Sequence, residues 1–523
     1  MKNDTIKTKA SNQTVAVIDI GTSAIRMVIA EVSPKQDIRY LENLHKPIRF
    51  GKDVFTNNKI SNTSVREAIA ILKNYVEVIK SYGVRRVQAI ATSAVREASN
   101  RDNFIDQVYV RTGLDIEVVE GPEENRLELI AVEHALGDEI PLKERNCLIV
   151  EVGSGSTEII ILNKGQVEVT RTISLGSIRL PEVARGAKTD EMMMQRILRR
   201  NIRDVASYLA NEYSLENIDT FIALGGDMRF VARQLSEKQN GKYAVIDKKA
   251  FLNFIAKIAK TTPEEMVSQY GIAIGQAESV YGSLLFYLNF MGETKAQEIF
   301  IPSTSIRDGL VLEIAQMLSM YKRTDVAKQV LNSARHLGEK YKYDEKHSLT
   351  VAQLAMKLFD QLKEHHGMGS KERLLLEVSA ILHDIGSYIA PSSHHKHSSY
   401  LVDASDIFGL RKTDKNIVSN VVRYHRRSVP RKTHVAYMSL PKTDRAMVSK
   451  LAAILRVADA LDHGHQQKIK NFTIKASEDT VTIWVSEECG DITMERHGIL
   501  KKGDLFSDVF GASIQIKQSH GKT

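Results

Sequence analysis

Cysteine is scarce: the 523 residues contain two, Cys147 and Cys489. They lie far apart in strand-like runs, which argues against a structural disulfide and fits a reducing cytoplasm. Long apolar runs are missing too. None approaches the roughly 20 residues of a membrane span, so no transmembrane helix is expected. The first fourteen residues are polar and lysine-bearing with no apolar core, which predicts a frayed tail rather than a secretory signal. No low-complexity tract occurs. The rest is ordinary for a globular chain, with 43% hydrophobic and 26% charged residues, and the length allows about three or four domains. A net charge of +8 favours an anionic partner such as a nucleotide, a nucleic acid or a phosphate chain, although a merely basic soluble protein carries the same sum. Histidine is uneven: eleven of 16 fall between His347 and His465, marking a C-terminal module with its own chemistry.

The stretch 147–158 organises the chain. It reads as an apolar strand, the carboxylate Glu151, a turn of small residues (Gly153, Ser154, Gly155, Ser156, Thr157), Glu158, and a second strand. Such a turn lets backbone N–H groups and hydroxyls converge on a phosphate without a Cβ in the way. The device occurs earlier with Asp19, Gly21, Thr22 and Ser23 between the strand from Val15 and the strand Ile25 to Val32. Two copies in strand context suggest a two-lobed phosphate clamp.

Between them, a helix is predicted over 64–80 and a strand over 84–91 that ends in Thr92, Ser93 and a helix bearing Arg96, which suits an anion site or a simple N-cap with a surface arginine. Glu123 and Glu124 open a helix behind Pro122; they pair with the helix dipole, or aim a general base into the cleft. A later strand ends in Gly225-Gly226 before another helix, a third phosphate-contact candidate. Alternating strands and helices to about residue 320 argue an α/β architecture. Beyond 325 the pattern is helical, and from 472 to 517 it turns strand-like.

In this order, Asp19-Ile20-Gly21-Thr22-Ser23, Ala91-Thr92-Ser93-Ala94-Val95-Arg96, Gly121-Pro122-Glu123-Glu124 and Gly153-Ser154-Gly155-Ser156-Thr157-Glu158 resemble the exopolyphosphatase/guanosine pentaphosphate phosphatase family. The resemblance implies an α/β fold: a two-lobed actin-like (ASKHA, ribonuclease H-like) core with lobes 15–136 and 137–322. An all-α HD-type domain (323–468) and a small β-rich domain (469–523) would follow. It implies Glu124 as catalytic base, Arg96 and Glu151 as catalytic partners, and Mg²⁺ held by Asp19, Glu151 and Glu158. Two departures stand out. Glu151 replaces the usual Asp, and Ser154 puts a Cβ where the family usually has Gly. Either can shift the metal or the water. Asn125 replaces a common Ala.

The helical module resembles HD-type metal sites through His347, His383-Asp384 and Asp459, with His397 (or His394) and His425 as further ligands. Extra imidazoles favour Mn²⁺, Fe²⁺ or Zn²⁺ over Mg²⁺. The basic run Arg423-Tyr424-His425-Arg426-Arg427, with Arg431-Lys432, either guides a long polyanion or is a solvated face. The expected activity is release of terminal phosphate from inorganic polyphosphate, by a cytoplasmic homodimer with no membrane or stable nucleic-acid partner. Three alternatives remain: guanosine pentaphosphate as substrate of the same core, a phosphohydrolase or phosphodiesterase in the HD-type site, and a non-catalytic sensor weakened by Glu151.

Overall fold

The computed structural model describes residues 12–35, 37–179, 191–236, 238–239, 241–318 and 324–519. Two compact units result, Met1–Arg323 and Thr324–Thr523.

The first unit holds two sheets. One contains β1 (Gln13–Ile20), β2 (Ala24–Val32), β3 (Ile38–Pro47), β4 (Arg86–Ala91) and β5 (Ile116–Val118) in the order β3-β2-β1-β4-β5. The other contains β6 (Asn146–Val152), β7 (Thr157–Asn163), β8 (Gln166–Ile173), β9 (Thr220–Leu224), β10 (Lys238–Gln239), β11 (Tyr243–Asp247) and β12 (Glu298–Pro302) in the order β10-β11-β12-β9-β6-β7-β8. Set side by side, β3-β2-β1-β4-β5 and β8-β7-β6-β9-β12 repeat one topology. Each has two antiparallel hairpin partners on one side of the first strand and two parallel strands on the other. The duplicated hairpins predicted for 15–32 and 147–162 are therefore the corresponding first two strands of each sheet. The expected tail ends sooner than predicted, because β1 already begins at Gln13; residues 1–11 lie outside the described set.

Central strands are apolar throughout because both faces are covered. Along β1, Ala16, Ile18 and Ile20 enter a core with Phe50, Leu72 and Tyr75. Val15 and Val17 enter another with Leu127, Leu310 and Ile314. Side chains alternate along a strand, so Asp19 falls on the face of Val15 and Val17. The helices Gly121–Leu136 and Ile306–Leu318 cover that face and cross where a Cβ at Gly309 would stand 2.1 Å from the Leu127 carbonyl oxygen.

The second unit packs the helices Thr324–Lys340, Glu345–Gln361, Ser370–Leu382, His394–Ala404, Lys412–Arg423 and Lys442–Leu461. After them comes a three-stranded sheet of β13 (Thr473–Ala476), β14 (Thr480–Ser486) and β15 (Ser513–Ser519). The tail expected to be strand-like from 472 to 517 also contains helices. β14 and β15 run parallel, and the helices Thr493–Lys502 and Asp504–Phe510 form the crossover that a parallel pair requires. The tail is not a separate layer, since Val481, Ile483, Ile499, Phe506 and Ile514 share one core with Val351, Leu376 and Leu455. Cys489 lies in a short helical turn, Glu487–Cys489, rather than a strand, and both cysteines are free thiols.

Candidate active site

In the first unit the two small-residue turns abut. Thr22 Oγ1 is 2.9 Å from Ser93 Oγ, and Ser23 Oγ is 3.0 Å from Ser154 Oγ. The tight position is Gly155: a Cβ there would lie 2.5 Å from Ser93 Oγ, 2.8 Å from the Phe55 ring and 2.9 Å from Thr22 Oγ1. The crowding expected at Ser154 is thus displaced by one residue, and the Ser154 hydroxyl ties the turns together. Arg179 fastens the same junction. Its Nε donates to the Gly155 carbonyl at 2.6 Å, its NH1 and NH2 pair with Glu97, and its guanidinium stacks 4.1 Å from the Phe55 ring centre.

Carboxyl groups converge behind the turns. Asp19 sits at the tip of β1, with Arg26 3.4 Å away. Burial pushes its pKa up, against the pull of Arg26 and Arg307. Glu151 takes the corresponding place on β6. Glu124, near the start of its helix, hydrogen-bonds Arg96, whose guanidinium also donates to the Val119 carbonyl at 2.6 Å. Burial raises Glu124 while Arg96 opposes. Glu158 is held by the Ser156 hydroxyl at 2.5 Å, and burial followed by Glu124 lifts it well above the usual carboxylate range.

Glu128 escaped the sequence reading. It is buried one helical turn beyond Glu124, and burial, then Glu151, raise it strongly. Arg26 and Arg307 were also missed. Arg307 lies far from Asp19's motif in sequence, whereas Arg26 stands opposite Asp19 on the same hairpin and follows from the β1–β2 register. Thr92 caps its short helix with backbone only. Gly225 adopts φ +99°, and Tyr287 hydroxyl bridges this junction to β6 by accepting from Val152 N–H at 2.9 Å and donating to the Leu224 carbonyl at 2.5 Å. A Cβ at Gly226 would meet nothing within 4 Å outside its own helix backbone. Beside Thr22 and Ser23 opens a cavity of about 340 Å³ whose wall includes Arg49, Lys52, Ile178 and Glu278. Asn125 donates to the Gly121 carbonyl at 3.0 Å, inside the fold.

In the second unit the structure brings together His347, His383, Asp384, His394, His425 and Asp459, in groups whose ligating atoms lie within 4.8 Å of one another. His394 takes the place offered to His397, which is half-buried and stands outside these groups. The cause is Gly386. A Cβ there would lie 2.2 Å from Ser398 N and 2.3 Å from the His394 carbonyl, so glycine lets the helix His394–Ala404 dock on the turn after Asp384.

The ring tautomers follow from their partners. Nδ1 of His383, His394 and His425 each faces a backbone carbonyl, of Ala380, Pro391 and Val422, at 2.7, 3.0 and 2.7 Å. A carbonyl only accepts, so each Nδ1 carries hydrogen and each neutral ring turns an Nε2 lone pair inward. His394 Nε2 and His425 Nε2 meet at 3.3 Å, and lie 3.1 and 3.4 Å from Asp384 Oδ1. Nε2 of His347 and of His383 is buried without a hydrogen-bond partner among the described residues. This crowd of acceptors needs protons or a cation. Burial disfavours charge on His347, but Asp459 and Asp462 outweigh it and hold the ring up to about 9; burial drops His383 to about 4. In the basic run, Tyr424 and His425 turn inward, leaving Arg426 and Arg427 outside.

A repeated β3-β2-β1-β4-β5 topology with paired phosphate-type turns defines an actin-like α/β core. The family model described as the Ppx/GppA phosphatase family matches residues 28–318, and that of Ppx/GppA phosphatase domain III matches 331–501. The chain belongs to the Ppx/GppA phosphatase family. It is 22% identical over 451 residues to a guanosine-5'-triphosphate,3'-diphosphate pyrophosphatase of Photobacterium profundum, covering 84% of each chain. Its fold is similar to that of an exopolyphosphatase from Cytophaga hutchinsonii, with TM-score 0.53 and 20% identity over 59% of this chain and 100% of that one. It is also similar to the Aquifex aeolicus family member, with TM-score 0.50 and 21% identity over 59% of this chain and 99% of that one. Among the described residues no helix is long and apolar enough to cross a membrane.

Proposed function

We propose that the first unit hydrolyses a terminal phosphoanhydride, with inorganic polyphosphate as its first substrate. The observation that carries this is the convergence of Asp19, Glu124, Glu158 and Arg96 behind two touching hydroxyl-lined turns. The hydroxyls of Thr22, Ser23, Ser93 and Ser154 and the N–H groups of Ser154, Gly155 and Ser156 bind the terminal phosphate, while Gly153 and Thr157 brace the turn through the Ser156 and Leu175 carbonyls. Gly225 and Gly226 add backbone donors. Glu124, lifted by burial, takes the proton of the attacking water, and Arg96 neutralises the charge that develops on the phosphoryl oxygens. Asp19 and Glu158 are buried carboxyls raised toward protonation, which a cation relieves, so together with Glu151 at the tip of β6 they fit a Mg²⁺ ion; when bound, it supplies further charge neutralisation. Arg49 and Lys52 give the adjoining cavity a cationic wall for the rest of a polyanion.

A second substrate, the 5′-phosphate of guanosine pentaphosphate, is favoured by the name of the Photobacterium relative, which this chain matches along most of its length. Phosphate release from long-chain polyphosphate and from guanosine pentaphosphate, with Mg²⁺, decides between them. Release from neither by wild type, or undiminished release by Glu124→Gln, sinks the proposal.

The second unit we read as an HD-type metal centre held by His347, His383, Asp384, His394, His425 and Asp459. The inward Nε2 lone pairs support it. Imidazole-rich ligation suits Mn²⁺, Fe²⁺ or Zn²⁺. A homodimer working in the cytoplasm completes the proposal.

A further inference from the structure

Asp459 offers its two oxygens to different partners. Oδ1 faces His347 Nε2 at 3.6 Å and His383 Nε2 at 4.0 Å. Oδ2 accepts a hydrogen bond from the buried Lys502 ammonium. We infer that Lys502 is an internal counter-cation of the histidine pocket: it reserves one oxygen of Asp459, limits a bound metal ion to the other, and weakens the pocket's hold on divalent cations. The inference rests on reading the pocket as a metal centre.

Lysine is almost never buried unless paired, and this one is held in place by a built network. It ends the helix Thr493–Lys502, which lies so close to Lys442–Leu461 that a Cβ at Gly498 would be 3.1 Å from the Ala460 carbonyl oxygen. The Lys502 carbonyl accepts from Arg456 Nε at 2.9 Å. Arg456, itself buried, also donates to the Tyr424 carbonyl at 3.4 Å and to Asp504 at 2.5 Å. The backbone at Lys502 is therefore anchored on both sides, and its ammonium has a carboxylate oxygen to itself. An ammonium is a compact point charge. Placed on the carboxylate that a divalent ion would share, it repels that ion through a medium of low dielectric constant. Without metal it does the opposite service and neutralises a carboxylate that burial would otherwise penalise.

The two effects separate in one experiment. The full chain is stripped with chelator, titrated with Mn²⁺ and melted with and without it, as wild type, Lys502→Met, Lys502→Arg and Asp384→Ala. Asp384→Ala identifies the Mn²⁺ bound by this pocket as distinct from the first unit. Lys502→Met is expected to melt lower without metal, to bind Mn²⁺ about ten-fold tighter, and to gain more in melting temperature when Mn²⁺ is added. Lys502→Arg, which keeps the charge, is expected to follow wild type. Equal or weaker Mn²⁺ binding by Lys502→Met, with wild type binding normally, overturns the inference and leaves the metal centre standing. No difference in Mn²⁺ uptake between wild type and Asp384→Ala overturns both. Should Lys502→Met fail to fold, Lys502→Gln retains a donor for Asp459 without the charge and answers the same question.

Discussion

Glu123 and Glu124 are neighbours in sequence and belong to different arginines. Glu123 is clamped by Arg126 through two bonds of 2.8 and 2.9 Å, and Arg126 also holds Glu313 at 2.9 Å. Glu124 points the other way, to Arg96. One carboxylate is consumed by the scaffold and the other is left for chemistry. Glu124→Gln is expected to lower phosphate release by about 10²- to 10⁴-fold, with a smaller loss of melting temperature than Glu123→Gln, because burial and the nearby Asp19 and Glu151 already disfavour the charge it removes. Glu123→Gln weakens a buried ion pair and is expected to cost about 3 kcal/mol of stability, while activity per folded molecule stays within an order of magnitude. Calorimetry beside a phosphate-release assay checks both, and exchanged phenotypes would show that the catalytic assignment is reversed.

Gly155 and Gly226 both look like phosphate-turn glycines in the sequence, and only one is demanded by space. A Cβ at Gly155 strikes Ser93 Oγ, Phe55 and Thr22 Oγ1, whereas at Gly226 it meets nothing within 4 Å. Gly155→Ala is expected to push the turns apart and to cost at least about tenfold in rate, since small misplacements at a reacting centre are expensive. Gly226→Ala, which keeps its backbone donor, is expected to stay near wild type. Equal rates for the two would mean that the turns need not touch for turnover.

These contrasts also show what the chain discloses before it is folded. The tips of β1 and β6 are legible because an apolar run, an acid and a small-residue turn form one local pattern. Pairing across the chain is not local, so Arg307 and Arg179 are invisible in it, whereas Arg26 faces Asp19 across the hairpin and needs only its register. Edge strand β3 was missed because its mixed residues, half-exposed, carry no clean alternation. Glu128 was missed because a glutamate four residues after another, on a helix, looks like its solvent face. The choice between His394 and His397 hangs on the register of one helix, and Gly386 sets that register from outside it.

Glu128 gives a prediction with a definite sign. Its folded pKa is raised well above the ordinary value by burial first and by Glu151 next. Between the unfolded value of about 4.3 and the raised one, the folded chain binds the extra proton, so stability falls as pH rises through that window. Glu128→Gln removes this dependence. In metal-free buffer its melting temperature relative to wild type is expected to climb from about pH 4 upward. A gap that is constant with pH would show that Glu128 is already ionised in the folded chain.

The helix His394–Ala404 presents three histidines, and the geometry separates them. His394 has its Nδ1 satisfied by Pro391 and its Nε2 aimed at Asp384, 3.1 Å away. His395 is buried beside it, and burial drops its pKa to about 4. His397 is half-buried and outside the ligand groups. If the pocket holds a transition metal, His394→Ala removes a ligand directly and is expected to weaken Mn²⁺ or Zn²⁺ binding by at least about tenfold. His397→Ala is expected to leave it within about twofold, because among the described residues its ring stands outside the ligand groups. Metal content after dialysis against a competing chelator measures both. Loss of metal in His397→Ala with retention in His394→Ala would require the helix to dock one turn away from where Gly386 now seats it, and would transfer the ligand role to the residue that spacing alone had favoured.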